Sequence, residues 1–318
     1  MDARPDPALA PTTPDGEGLD RLSGLLERCR VRAHLFHAGP LCGTTQFAAE
    51  PGRGFLHVMR RGEMSLSHPG GQEGTPRRLE VREPSLLFYP RPLAHDFHNA
   101  PAEGSDFTCA TLAFEGGDAH PLVRALPPLI VLPLAQVPGL EPCLTLLFAE
   151  TERVQCGQRL MADRLFEVLL MQLLRWMLAH PEASGLPAGL LRGLGHPQLA
   201  RALVAVHERP GEAWSLERMA AEAGVSRSRF AGLFKDLMGD TPAEYVLAWR
   251  LSLACQALRR GQAVKQLADE LGYATPSAFS RAFAQRMGCS PREWVARDVS
   301  RMALSNASDS LKGFSPSL

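Results

Sequence analysis

The stretch Trp214-Ser215-Leu216-Glu217-Arg218-Met219-Ala220 runs on to Tyr245, and the stretch Val264-Lys265-Gln266-Leu267-Ala268 runs on to Trp294; each is a copy of the other. Phe230 and Phe279, Phe234 and Phe283, Gly239 and Gly288, Pro242 and Pro291, and Glu244 and Glu293 each stand 49 residues apart. Leu216 and Val264, Met219 and Leu267, and Ala220 and Ala268 stand 48 apart, a one-residue slip in the intervening turn. Two copies of one helical unit within about 100 residues imply a surface used twice, and duplex DNA offers a major groove that returns every turn.

The grammar inside each copy is helical. Leu216, Met219, Ala220 and Ala223 form a stripe ending at Gly224, and Gly224-Val225-Ser226 is a turn whose serine is typed to cap the next helix. That helix is expected from Arg227 to Met238, burying Phe230, Leu233, Phe234 and Leu237. Thr241-Pro242-Ala243-Glu244 is a capping box with proline at the first helical position, opening a long rod that reaches Gly261. In the second copy Leu267, Ala268 and Leu271 precede Gly272, Thr275-Pro276 opens a helix to Met287, and Ser290-Pro291-Arg292-Glu293 caps a closing helix.

A helix-turn-helix lays its second helix in the major groove. The groove-facing candidates are the positions that are not Phe or Leu. In the first unit these are Arg227, Ser228, Arg229, Ala231, Gly232 and Lys235; in the second, Ser277, Ala278, Ser280, Arg281 and Gln285. Arg281 is the first choice for base readout, because a guanidinium matches guanine O6 and N7 bidentately. Arg227, Arg229 and Lys235 suit phosphate contacts equally well, and the plain alternative for each is a solvated helix face.

Charge agrees. The net charge of zero splits into 18 Arg/Lys against 22 Asp/Glu over residues 1–195 and 15 against 11 over residues 196–301. The C-terminal part is thus mildly basic, which suits a phosphate-facing surface. With 45% hydrophobic and 21% charged residues the composition is that of a soluble globular protein. No apolar run approaches the ~20 residues that span a bilayer, no signal peptide opens the chain, and a cytoplasmic location is expected.

Residues 207–298 resemble the AraC/XylS transcription regulators, on the pattern Leu267-Ala268, Gly272-Tyr273, Ser277-Ala278-Phe279-Ser280-Arg281-Ala282-Phe283 and Gly288-Cys289-Ser290-Pro291. The resemblance implies two helix-turn-helix subdomains joined by a long helix on adjacent segments of double-stranded DNA, with RNA polymerase as a further candidate partner. Ala231 and Gly232 depart from it, standing where relatives often carry longer polar side chains. More of the specificity is therefore expected from the second unit.

Residues 31–115 differ in texture. Short alternating runs at 55–59, 63–67, 78–81 and 85–89, punctuated by Gly and Pro, read as antiparallel strands of a barrel or jelly roll. Helical periodicity returns at 139–180. The expected fold is α+β in two domains: a leader at 1–18, a cupin-like sensory and dimerisation domain at 19–185 (barrel about 31–130, helices about 139–180), a linker at 186–200, the double helix-turn-helix at 201–298 and a tail at 299–318. The N-terminal part resembles the cupins found in front of many AraC-type regulators. His57-Val58-Met59, Glu63 and Gly70 fit the first cupin motif with Met59 in place of its second His. Pro90, His95 and Asn99 fit the second motif, with Pro92 in place of its Gly.

Cys42 and Cys109, with His57 and His95, have the donor types of a tetrahedral Zn²⁺ site. The same thiols suit a redox pair, and they match the two cysteines of a reactive-chlorine-responsive subfamily of cupin-type AraC regulators. The alternative is a small buried Cys109 and a hydrogen-bonded core His57. Cys29, Cys143, Cys156, Cys255 and Cys289 read as structural, and His98 and His120 are further candidates. Three functions follow: a DNA-binding regulator, expected to be a homodimer, whose cupin senses a small molecule, metal or oxidant; a cupin metalloenzyme of dioxygenase or isomerase type fused to a DNA-binding module; and a ligand-independent DNA binder. Met59 counts against the enzyme.

Overall fold

A computed structural model of the chain describes residues 18–71, 73–99, 104–117 and 120–298; the expected leader up to residue 17 and the tail from 299 lie outside the described residues. Among the described residues the N-terminal part holds nine strands: β1 (Val31–Leu41), β2 (Gly43–Phe47), β3 (Arg53–Arg61), β4 (Met64–Ser67), β5 (Arg78–Val81), β6 (Ser85–Tyr89), β7 (His95–Asn99), β8 (Ser105–Phe114) and β9 (Ile130–Pro133). They form a five-stranded sheet ordered β1-β8-β3-β6-β9 and a four-stranded sheet ordered β2-β7-β4-β5. Both sheets point side chains into one interior that contains Phe47, Phe55, Met59, Leu66, Phe97 and Phe107.

The run at 55–59, expected to alternate, lies on β3 and is buried throughout. It is paired on both edges, by β6 and by β8, and buried on both faces. Phe55, His57 and Met59 face the interior, while Leu56 and Val58 join a second cluster formed with the helices outside. A strand covered on both sides needs no polar face. The covering helices are α3 (Glu141–Glu152) and α4 (Gln158–Ala179), at the place the sequence indicates. Two short helices, α1 (Ser23–Arg28) and α2 (Pro121–Ala125), flank the barrel.

The expected linker is corrected. Residues 186–200 are not an extended connection; they contribute α5 (Leu190–Gly195) and the start of α6 (Pro197–Glu208). Leu190, Leu191, Leu194 and Leu199 are buried with Leu169 and Leu173 of α4. The leucines repeat at helical spacing, and burying four of them outweighs the glycines among them, at about 1.5–3 kcal/mol per side chain.

The repeated units fold as their caps direct. The first consists of α7 (Leu216–Ala223) and α8 (Arg227–Met238), the second of α10 (Val264–Glu270) and α11 (Pro276–Met287), with α9 (Pro242–Arg259) between them and helical backbone again at 291–298. Ser226 accepts from the Arg229 amide, Thr275 from the Ala278 amide, and Thr241 and Glu244 close a full capping box. Leu233 and Leu237 are half-buried rather than buried, and Met238 is buried in their stead.

The packing divides the chain elsewhere than the expected boundary. Phe230, Phe234, Val246 and Trp249 belong to the same apolar cluster as α4 and the outer face of the barrel sheet. Leu251, Leu258, Leu267, Phe279 and Phe283 form a separate, smaller cluster. The seam between cores therefore crosses the middle of α9. The first helix-turn-helix is continuous with the cupin; the second has a core of its own.

Candidate nucleic-acid interface and barrel interior

On α11, Ser277, Arg281 and Gln285 are exposed and four residues apart, so they form one stripe down a single helix face. Ala278 and Ser280 are half-buried beside it, and Phe279 and Phe283 anchor the opposite face. Of the described contacts, none engages the Arg281 guanidinium. It is a free fork on the outward face of a helix whose N-terminus is capped.

The first unit is less free. Arg227 is paired with Glu217 of α7 at 3.0 Å, both exposed. Lys235 donates to the Gly239 carbonyl at 2.7 Å, where an ammonium complements the C-terminal end of the α8 dipole. Ser228, Arg229 and Gly232 remain exposed, and Ala231 is half-buried. At the 49-residue offset Arg281 corresponds to Gly232 and Gln285 to Asp236. Where the second unit presents a cation and an amide, the first presents no side chain and a carboxylate.

In the barrel His57 and His95 meet, with their Nε2 atoms 3.0 Å apart. His95 donates from Nδ1 to the Leu93 carbonyl at 2.8 Å, which leaves its Nε2 as the acceptor for the His57 Nε2–H. His57 Nδ1 is then a buried acceptor without a partner. His95 lies between Tyr89, stacked at 4.0 Å, and Phe47, stacked at 4.8 Å. Tyr89 in turn bonds His68 at 3.2 Å. Burial away from water holds both imidazoles neutral: His57 sits well below its ordinary pKa, and His95 is pushed down to about 3.

The cysteines do not complete a four-ligand site. Cys109 is fully buried on β8, in register with His37 and His57, and burial raises its thiol pKa well above the ordinary value. Cys42 is exposed just beyond Leu41, which pairs with Ser105. Ser105 is four residues from Cys109, about 14 Å along a strand, whereas a disulfide requires Cα atoms within about 7 Å. Both thiols are free. The cupin-type ligand set fits no better: Met59 is buried in the interior, Glu63 is exposed, and among the described residues no three His, Cys, Asp or Glu side chains converge on a metal position. Of the four residues Cys42, His57, His95 and Cys109, the strands bring the two histidines into hydrogen-bond contact. The separation arises from strand register, which residue types do not reveal.

His98 bonds Thr44 and Ser67 on the outer face of the small sheet, and His120 bonds the Cys29 carbonyl. Cys29, Cys143 and Cys289 are buried and Cys255 half-buried, but Cys156 is exposed in the turn before α4 and is no part of a core.

Comparison with known proteins agrees with this layout. A cupin family model matches residues 20–179 and a helix-turn-helix domain model residues 219–297. The chain is 35% identical over 179 residues to the HTH-type transcriptional regulator AlkR of Acinetobacter baylyi, covering 55% of this chain and 58% of that protein. It is 26% identical over 245 residues to the RCS-specific HTH-type transcriptional activator RclR of Escherichia coli, covering 76% and 84%. Among solved structures it is similar to the DNA-binding domain of AdpA in complex with a target DNA, at 28% identity over 32% of this chain and 93% of that one, TM-score 0.30. The chain belongs to the AraC-type regulators in which a cupin domain precedes a helix-turn-helix domain. Its match spans 57–62% of the length of the first curated relatives. Among the described residues no helix is long and apolar enough to cross a membrane.

Proposed function

We propose that the chain is a transcription regulator that binds double-stranded DNA through α8 and α11, with most base readout in α11. The single observation that carries this reading is the exposed Ser277, Arg281, Gln285 stripe on a capped helix. Arg281→Ala is expected to reduce discrimination between a selected operator and random DNA by about 1–3 kcal/mol. Binding titrations on both DNAs test it. Equal loss on the two reassigns Arg281 to phosphate, and absence of salt-dependent DNA binding by the unmodified chain removes the reading altogether.

The chain is further proposed to work as a homodimer joined through α4. Leu160, Met161, Val168 and Met171 of that helix are exposed, as is Leu146 of α3. Met161, Arg164, Val168, Met171 and Arg175 recur at alternating spacings of three and four, all exposed, which is the seam of a paired helix. Antiparallel pairing with a second copy sets Met161 against Met171 and Arg164 against Val168. Val168→Arg sets a second guanidinium against Arg164 in each half of that seam, and the dimer is expected to weaken about tenfold or more in sedimentation equilibrium. A variant as dimeric as the parent sinks the proposal.

The metalloenzyme alternative draws no support from the residues inside the barrel, where aromatic rings pack around His57 and His95.

A further inference from the structure

The two helix-turn-helix units are joined at a second place besides the run of α9. We propose that Arg250 is the positioning residue of that joint: it fixes the angle between α8 and α11, and thereby the spacing of the two DNA segments the chain accepts. The role in spacing rests on the DNA-binding reading above; the fixed angle does not.

Arg250 is half-buried in the middle of α9, between Trp249 of the larger core and Leu251 of the smaller one. Its guanidinium engages two partners. Nε donates to the Pro210 carbonyl and Nη2 to the Glu212 carbonyl, each at 2.7 Å. Both acceptors lie in the loop at 209–215, which leads into α7 of the first unit. The Tyr273 ring stands in the turn that leads into α11 of the second unit. Its centroid is 5.7 Å from the guanidinium carbon, within the range of a cation–π contact. One side chain thus clasps both units.

Each end of the clasp is stiff. On the first side Arg209 pairs with Glu222 of α7 at 2.9 Å, and Arg218 of α7 pairs with Glu212. Trp214 Nε1 donates to the Arg209 carbonyl at 2.9 Å, closing the loop on itself. On the second side Tyr273 packs edge-on against Phe279 of α11 at 5.3 Å. Its amide donates to the Ala268 carbonyl of α10 at 2.8 Å. Loop and turn also abut through backbone, since a Cβ on Gly211 would strike the Glu270 carbonyl and one on Gly272 would strike Gly211. A planar fork on two carbonyls is a pre-organised grip, which a flexible ammonium is not.

The division of cores gives this joint its importance. The length of α9 sets how far apart the units sit, at about 1.5 Å per residue. The apolar clusters on its two halves are separate, so side-chain burial does little to resist bending between them. Helices curve readily where nothing braces them, and an off-axis contact is a brace. On DNA a fixed angle selects a spacing, because the groove turns once in about 10–10.5 base pairs. A braced pair of helices loses contacts at any other spacing, whereas a loose pair follows the duplex at lower affinity, its ordering cost then falling on binding.

The test pairs a distance measurement with binding. Spin labels are placed at Ser228→Cys on α8 and Ser277→Cys on α11 of the full chain, with the accessible Cys42, Cys156 and Cys255 changed to Ser. Without DNA the distance distribution is expected to be narrow, and Arg250→Ala to broaden it. Unlabelled proteins are then titrated with a selected operator and with the same operator carrying one inserted base pair between its two segments. Arg250→Ala is expected to lower the preference for the original spacing about tenfold, and Arg250→Lys to lower it less, since one charged donor remains. Should Arg250→Ala melt early, Arg250→Lys decides by the same two readouts. Distributions as narrow in the folded variants as in the parent overturn the proposal. Broadening with the spacing preference undiminished refutes the role in spacing alone. A parent that binds no DNA removes the reading beneath that role and leaves the distance result standing.

Discussion

Gly272→Ala is expected to destabilise the second helix-turn-helix by about 3 kcal/mol or more and to abolish its contribution to DNA binding. Gly272 ends α10 with φ +74, a left-handed conformation that costs a residue with a Cβ about 1–2 kcal/mol. Space is the larger obstacle. A Cβ placed there falls 2.8 Å from the Gly211 carbonyl carbon, and closer still to its oxygen, and both are backbone atoms. They have little room to retreat, because Arg250 holds the same loop through the Pro210 and Glu212 carbonyls at 2.7 Å each. Overpacking of this kind adds about 1–3 kcal/mol. Gly232→Ala is the matched control: no atom lies within 4 Å of its Cβ position, and in mid-helix the change is expected to stabilise by about 0.5–1 kcal/mol. Denaturant melts of both variants decide the matter. Gly272→Ala melting like the parent removes the claim that the two glycines cross in contact.

Phe283→Ala is expected to cost about 3–5 kcal/mol and to unfold the second unit while the rest of the chain stays folded. Phe283 is fully buried in the smaller cluster, against Phe279 at 5.7 Å and Trp294 at 6.1 Å. That cluster shares no buried member with the one that contains Phe234 and α4. The repeat partner Phe234→Ala removes the same ring from the larger core, so its loss is shared with the cupin domain. Amide hydrogen exchange reads the difference. Protection lost only from α10, α11 and the end of α9 in Phe283→Ala, and more widely in Phe234→Ala, is the expected pattern. Identical patterns in the two variants contradict a core divided within α9.

The helix-turn-helix units were legible because their signals are local. A cap is a serine or threonine followed three residues later by an amide or a glutamate, as at Thr241 and Ser290, and the structure closes those bonds. The strands at 78–81 and 85–89 were legible for the same reason, being short runs between turn residues. The Cys42, His57, His95, Cys109 group was not. Whether four residues from four segments converge depends on strand register, and β1 shifts its own register between Leu35 and His37.

What the chain's order of residues determined by itself is the pair of capped helical units, the barrel before them and the outward stripe on α11, since hydrogen bonds and side-chain period act over a few residues. Only the tertiary structure decided that residues 186–200 pack as helices, that the first unit shares a core with the cupin while the second does not, and that the barrel joins two histidines but not two cysteines. Those outcomes rest on which apolar surfaces find one another across the fold, and burial is indifferent to distance along the chain.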